Sequence, residues 1–149
     1  MPFQLAQLNI ARMRFPLESP EMIDFVDNLD RINQLADSSE GFVWRLQGEG
    51  NDATSLRPFD DDFIIVNMSV WVNLEALKNY VYKSAHTDIL KRRAEWFEKV
   101  SEAMVVMWWI PQGHTPTVFE SRERLEHLRT HGSSEFAFSF QKAFPAPEV

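Results

Sequence analysis

The alternation of side chains is clearest in Phe63-Ile-Ile-Val-Asn-Met-Ser-Val-Trp71, a run rich in β-branched and aromatic residues that predicts a strand. Successive side chains of a strand point to opposite faces. One face carries Ile64, Val66, Met68 and Val70, a plain core surface. The other carries Phe63, Ile65, Asn67, Ser69 and Trp71, and turns polar and aromatic towards its end without a charge. A solvated strand face normally carries charged or threonine side chains. An apolar wall with a few hydrogen-bonding groups is instead how ligand pockets are lined. The run therefore predicts a sheet packed on helices on one side and lining a cavity on the other.

The remaining pattern fills in the architecture. Residues 4–13 read as a first strand, with Leu8 and Ile10 alternating with Gln7 and Asn9. Ser19-Pro20 is a cap followed by proline at the first helical position. Met22, Phe25, Val26, Leu29, Ile32 and Ala36 then recur at helical spacing, to an end near Ser38. Gly41 opens a second strand over 42–47, and 48–58 reads as a polar loop. A short helix is predicted over 75–82 and a longer one over 85–100, with a fourth strand over 104–110. That strand is apolar on both faces, hence central or doubly covered. Thr115-Pro116 repeats the cap-plus-proline signal before a helix that runs to His131 and stops at Gly132. A last short strand is predicted over 135–140, and the tail 144–149 as loose. The order strand, helix, strand, strand, helix, strand is the split βαβ, or ferredoxin-like, pattern. It predicts one α+β domain over 1–149, an antiparallel sheet with helices on one face. A second copy is the economical cover for the other face, so a homodimer is expected.

Composition narrows the function classes. At 149 residues the chain buries a proper core without staples. It has no cysteine, which excludes disulfides, thiolate metal sites and cysteine nucleophiles. The net charge of −7 argues against a nucleic-acid partner. No apolar run approaches the ~18 residues of a membrane span. No secretory pattern marks the start, so a cytoplasmic protein is expected. Five tryptophans are many for such a chain. Trp44, Trp108 and Trp109 read as core.

A resemblance sharpens the picture. The runs Leu5-Ala-Gln-Leu-Asn-Ile-Ala-Arg12, Gly41-Phe-Val-Trp-Arg-Leu46, Ile65-Val-Asn-Met-Ser-Val-Trp71, Arg92-Arg-Ala-Glu-Trp-Phe-Glu98 and Trp108-Trp-Ile-Pro-Gln-Gly-His-Thr-Pro-Thr117 resemble an uncharacterised family of the dimeric α/β-barrel superfamily. That superfamily includes antibiotic-biosynthesis monooxygenases and haem-degrading monooxygenases. In the haem-degrading members an Asn on strand one, a Trp on strand three and a His on the next helix form the site. This chain offers Asn9, Trp71 and His86 in that order, with a longer insert before His86. The cofactor-free members use polar and Trp residues to hold a phenolic substrate.

The resemblance thus implies Asn9, Trp71 and His86 as catalytic candidates. Gln7, Arg45, Asn67, Ser69, Arg93 and Trp96 are the candidate substrate contacts. Asn9 and Asn67 can orient a carbonyl, a phenolate or dioxygen by hydrogen bonding, or simply pair across the sheet. Trp71 can stack on a planar ligand or pack at an interface. His86 can act as a base or a haem ligand, or sit in water at a helix start. Arg45 and Arg93 can hold a carboxylate or form salt bridges within an acidic chain. Glu123, His127 and His131 share one helix face, but no metal motif accompanies them, and no metal is expected. Two functions stay open. One is a monooxygenase-type enzyme acting on an aromatic or polyketide-like molecule, without a cofactor or with haem. The other is a non-catalytic dimer that binds a small aromatic or hydrophobic ligand. A filled barrel without any pocket is a third reading.

Overall fold

The structure is a computed structural model that describes residues 3–47, 61, 63–83, 91–100 and 102–147. The predicted polar loop 48–58, the residues 85–90 that open the predicted long helix, and His86 among them lie outside the described residues. Strand β1 spans Phe3–Arg12. A 3₁₀ turn, Pro20–Met22, leads into helix α1, Ile23–Asp37. Strands β2, Phe42–Arg45, and β3, Ile64–Trp71, follow, then helix α2, Leu74–Lys83. Helix α3 is a single turn, Arg93–Trp96, strand β4 is Val105–Pro111, and helix α4 is Val118–His131.

The four strands form one sheet in the order β2-β3-β1-β4, antiparallel at every pairing. This is the expected α+β, ferredoxin-like topology. The register aligns residue parity across the sheet. Leu8 faces Met68 and Val106, while Gln7 faces Ser69 and Met107. Even-numbered residues of β1, β3 and β4 therefore share one face, and odd-numbered residues the other. A bulge between Phe42 and Trp44 resets β2, so that Phe42 lies beside Trp71 and Arg45 beside Ser69.

The even face is the plain core. Ala6, Leu8, Ile10, Val66, Met68, Val70, Val106, Trp108 and Ile110 pack there against Leu125 and Leu128 of α4. The odd face is covered by α1 and α2: Leu5, Trp71 and Met107 meet Ala36, Ala76 and Leu77. Helices therefore lie on both faces, where the strand pattern predicts them on one. The polar, aromatic face, expected to be covered by a second copy, carries the two helices that follow β1 and β3. The plain core face is covered by α4, to which Leu125 and Leu128 give an apolar stripe.

Three local expectations change. The long helix predicted to Val100 ends at Trp96. Phe97 is extended, bridges to Met13, and packs edge-on to Phe25 at 5.0 Å. Pairing with the continuation of β1 and burial of Trp96 with Met13, Met22 and Ile65 outcompete another helical turn there. The predicted strand over 135–140 is reduced to a bridge at the β4 edge, where Phe138 and Met107 exchange two backbone hydrogen bonds of 2.9 and 3.0 Å. Helix α4 is capped by Thr117 rather than Thr115: the Thr117 hydroxyl accepts from the Glu120 amide at 3.0 Å. In the tail, Phe144 is held, since its carbonyl accepts the Trp109 indole N–H at 2.9 Å and its ring packs on Phe138.

Candidate functional site

The odd face does not pack tightly everywhere. Near Gln7 a cavity of about 210 Å³ opens between the sheet and helices α1 and α2. Its floor is Gln7, Asn9, Asn67, Ser69, Trp71 and Val105. Asn33 and Ala36 come from α1, and Leu77, Tyr80, Val81 and Tyr82 from α2. Arg45, Arg93 and Phe140 complete the wall. An engineered cavity of about 150 Å³ holds benzene. This one suits a substituted single ring better than a fused multi-ring molecule.

The floor is organised by one hydrogen-bonded row. The Trp71 indole donates to Ser69 Oγ at 2.8 Å. An indole N–H can only donate, which makes Ser69 Oγ an acceptor there. The Gln7 amide nitrogen donates to Ser69 Oγ at 2.7 Å and to Asn67 Oδ1 at 2.8 Å. Ser69 Oγ thus accepts twice, and its own O–H proton is left to donate. Gln7 Oε1 and the Asn9 amide have no partner among the described residues. The floor presents a mixture of donors and acceptors held in fixed positions.

One end of the cavity is aromatic. Trp71 is fully buried. Tyr80 stacks on it at 5.1 Å, and Phe42 meets it edge-on at 5.5 Å. Its indole thus anchors Ser69 and Tyr80 more than it offers a free ring face. The Tyr80 hydroxyl donates to the Ile32 carbonyl at 3.2 Å and ties α2 to α1 above the cavity. Burial pushes the Tyr80 phenol well above its usual pKa, so it stays neutral at physiological pH. Helix α2 is set in place by Asn73, whose side chain accepts from the Ala76 amide at 2.9 Å. Close by, Gly41 has φ +84°, and a Cβ there would come within 2.5 Å of Ala76 Cβ.

Two arginines reach the cavity, in different states. Arg45 is buried and pairs in bidentate fashion with Asp37 at the end of α1, at 2.7 and 3.2 Å. Arg93, from α3, is exposed and has no partner among the described residues.

The sequence reading placed several of these groups. Gln7, Asn9, Arg45, Asn67, Ser69, Trp71 and Arg93 line one cavity. Trp96 does not. It is buried in a separate cluster with Met13, Met22 and Ile65, under the Arg92 guanidinium, because Ile65 and Met13 offer it a dry socket. Asn33 and Tyr80 went unread. Asn33 interrupts the apolar stripe of α1, four residues after Leu29 and three before Ala36, which is the signal that marks it. Among the described lining residues none is His, Met or Cys, and Tyr80 is held neutral. Nor do the described residues hold any cluster of three metal-ligating side chains.

A family model covers residues 4–149, nearly the whole of this fold. The chain belongs to that family, the domain of unknown function DUF3291. No curated protein matches it. Among solved structures, this DUF3291 chain is similar to a Nitrosomonas europaea protein of unknown function, at 8% identity and TM-score 0.48. That likeness covers 77% of this chain and 94% of the other. It is similar to SnoaB, a cofactor-independent oxygenase from Streptomyces nogalater, at 14% identity and TM-score 0.49, covering 75% and 95%. A dabb family protein with a ferredoxin-like fold from Mesorhizobium loti matches at 13% identity and TM-score 0.43, covering 76% and 98%. In the DUF3291 chain, no helix of the described residues is long and apolar enough to cross a membrane.

Proposed function

We propose that this domain binds a small hydroxylated aromatic molecule in the cavity above Ser69 and oxidises it with dioxygen, without a bound cofactor. The observation that carries the reading is the Trp71–Ser69–Gln7–Asn67 row. It leaves the Ser69 O–H proton to donate on the floor of a ring-sized cavity. Fixed donors favour the phenolate form of a bound phenol and hold its ring in one orientation. A phenolate can reduce dioxygen itself. One oxygen atom goes to the ring carbon para to the hydroxyl and becomes a carbonyl. The other leaves as water with the phenolic proton and the displaced ring hydrogen. Phenol and dioxygen thus balance to quinone and water with no further reductant.

The resemblance to the antibiotic-biosynthesis monooxygenases supports the chemistry, and the cavity size supports a one-ring substrate. Gln7, Asn9, Asn67 and Ser69 are the contacts that orient it, and Trp71 holds Ser69. His86 stays a candidate base outside the described residues. A second reading, a binding domain without turnover, is favoured by one observation: no carboxylate and no histidine is among the described lining residues.

The test pairs thermal stabilisation with oxygen uptake, using phenol, 2-methylphenol and 2-methoxyphenol as probes, each a single ring with a hydrogen on the carbon para to the hydroxyl. Saturable stabilisation with one dioxygen consumed per quinone formed, both reduced in Ser69→Ala, supports the enzyme. Stabilisation without uptake leaves the binding domain. No stabilisation by any ring probe overturns both.

A further inference from the structure

The charge inventory of the cavity is lopsided. The chain has 22 acidic residues against 15 basic ones, yet none of the described cavity-lining side chains is acidic. The charged groups among them are Arg45 and Arg93. Arg45 is neutralised by Asp37 through two hydrogen bonds. Arg93 is not neutralised by any described residue, although the neighbouring Arg92 is paired twice, with Asp24 at 2.8 Å and with Glu95 at 2.9 Å. In an acidic chain an arginine that no described residue pairs at a cavity wall holds a charge ready for something else.

A second observation is independent of charge. Asn33 is 92% buried on the inner face of α1 and lines the same cavity, yet its amide has no hydrogen-bond partner among the described residues. Asn33 is not among the solvent-excluded unpartnered groups, so its amide reaches the cavity and can meet a ligand there. An amide N–H and a guanidinium that no described residue pairs, on one small cavity, complement one kind of group, a carboxylate.

We propose that the ligand carries a carboxylate, held by Arg93 and Asn33, while its ring hydroxyl meets Ser69 on the floor. This rests on the ring-binding reading above and narrows the substrate class to hydroxylated aromatic acids of one ring. The carboxylate brings acceptor oxygens to both donors. The bound anion also removes the net positive charge that Arg93 otherwise leaves on the wall. Arg45 takes no part in this contact, because Asp37 already occupies its fork.

The experiment titrates the full chain with 3-hydroxybenzoate, whose carbon para to the hydroxyl is free, and with its methyl ester, which shares the ring and hydroxyl but not the charge. Binding is read by calorimetry or thermal shift at low salt and at about 0.5 M salt. The acid is expected to bind about tenfold tighter than the ester and to lose that advantage at high salt or in Arg93→Gln. Arg93→Lys should keep part of it, and Asn33→Leu should weaken the acid more than the ester. Equal binding of acid and ester, unchanged by salt or by Arg93→Gln, overturns the carboxylate while leaving the ring-binding reading standing. Failure of both probes and of the neutral phenols overturns the ring-binding reading itself. Arg93 is exposed and outside the packed clusters, so its variants fold, and Ser69→Ala with the acid separates loss of the hydroxyl contact from loss of the anion contact.

Discussion

The two faces of one sheet share strands, register and length, and differ by a single step of residue parity. On the even face, Leu8, Ile10, Met68, Val106 and Trp108 are dry and close-packed under α4. On the odd face, Gln7, Asn67 and Ser69 hold a polar row beneath a cavity, under α1 and α2. A strand separates the two roles because neighbouring side chains never compete for the same space. Stability can be invested in one set of positions and recognition in the other, and variants on the two faces should fail in different ways.

The largest effect is expected from the dry face. Trp108 is fully buried, its indole donates to Glu120 at 2.8 Å, and Arg124 lies over its ring. Trp108→Ala leaves a large cavity and should cost about 3–5 kcal/mol. The midpoint of thermal unfolding should fall by roughly 10 °C or more. Ligand affinity measured well below that midpoint should stay near that of the parent. A loss of binding as severe as that of a floor variant would break the separation of the faces.

A backbone position on the cavity side comes next. Gly41 needs its positive φ, and a methyl group there collides with Ala76 of α2 at 2.5 Å and with Val72 Cγ2 at 2.8 Å. Gly41→Ala should cost about 2–3 kcal/mol through strain and overpacking. It should also displace α2, so affinity falls together with stability, unlike in Trp108→Ala. Unfolding curves and ring-probe titrations of the same sample test whether the two losses travel together.

The contrast between faces explains what the sequence could reveal. Alternation in 63–71 exposed the polar face, because period-two patterning is set by strand geometry alone. The register that puts Gln7 against Ser69, and Asn9 against Asn67, is non-local, yet both residues were already marked by their polarity in otherwise apolar strands. What stayed hidden depends on tertiary competition. Phe97 leaves a good helical pattern because Met13 and Phe25 offer it a partner strand and an aromatic socket. The assignment of α4 to the even face needed the three-dimensional path of the chain after β4. Trp96 was misplaced for a related reason, since an aromatic on a helix face reads alike whether it meets substrate or Met22.

On the cavity face the sharpest single-atom test is Ser69→Ala. It removes an oxygen that accepts from both Trp71 and Gln7, and leaves the Trp71 indole N–H and one of the two Gln7 amide N–H bonds unmatched, the other staying on Asn67. The stability cost should be about 1–3 kcal/mol. Affinity for a ring hydroxyl should fall about tenfold, against no more than about twofold for a dry-face variant such as Ile110→Val. If Ser69→Ala binds as the parent does, the floor is structural and the comparison loses its functional half.

The smallest effect lies where a charge intrudes on the dry side. Burial alone would raise the Glu120 carboxyl, but hydrogen bonds from His114 at 2.8 Å and from the Trp108 indole outweigh it and hold the pKa below the usual carboxylate range. A depressed native pKa stabilises the fold above the unfolded value of about 4.3, and that contribution is lost as pH falls through the native value. Glu120→Gln keeps an acceptor for Trp108 but removes the charge. The parent should therefore exceed the variant in thermal midpoint near pH 6, and the gap should close as pH drops below about 4. A constant gap across that range would show that Glu120 serves Trp108 through shape and hydrogen bonding alone, and that the even face draws no stability from ionisation.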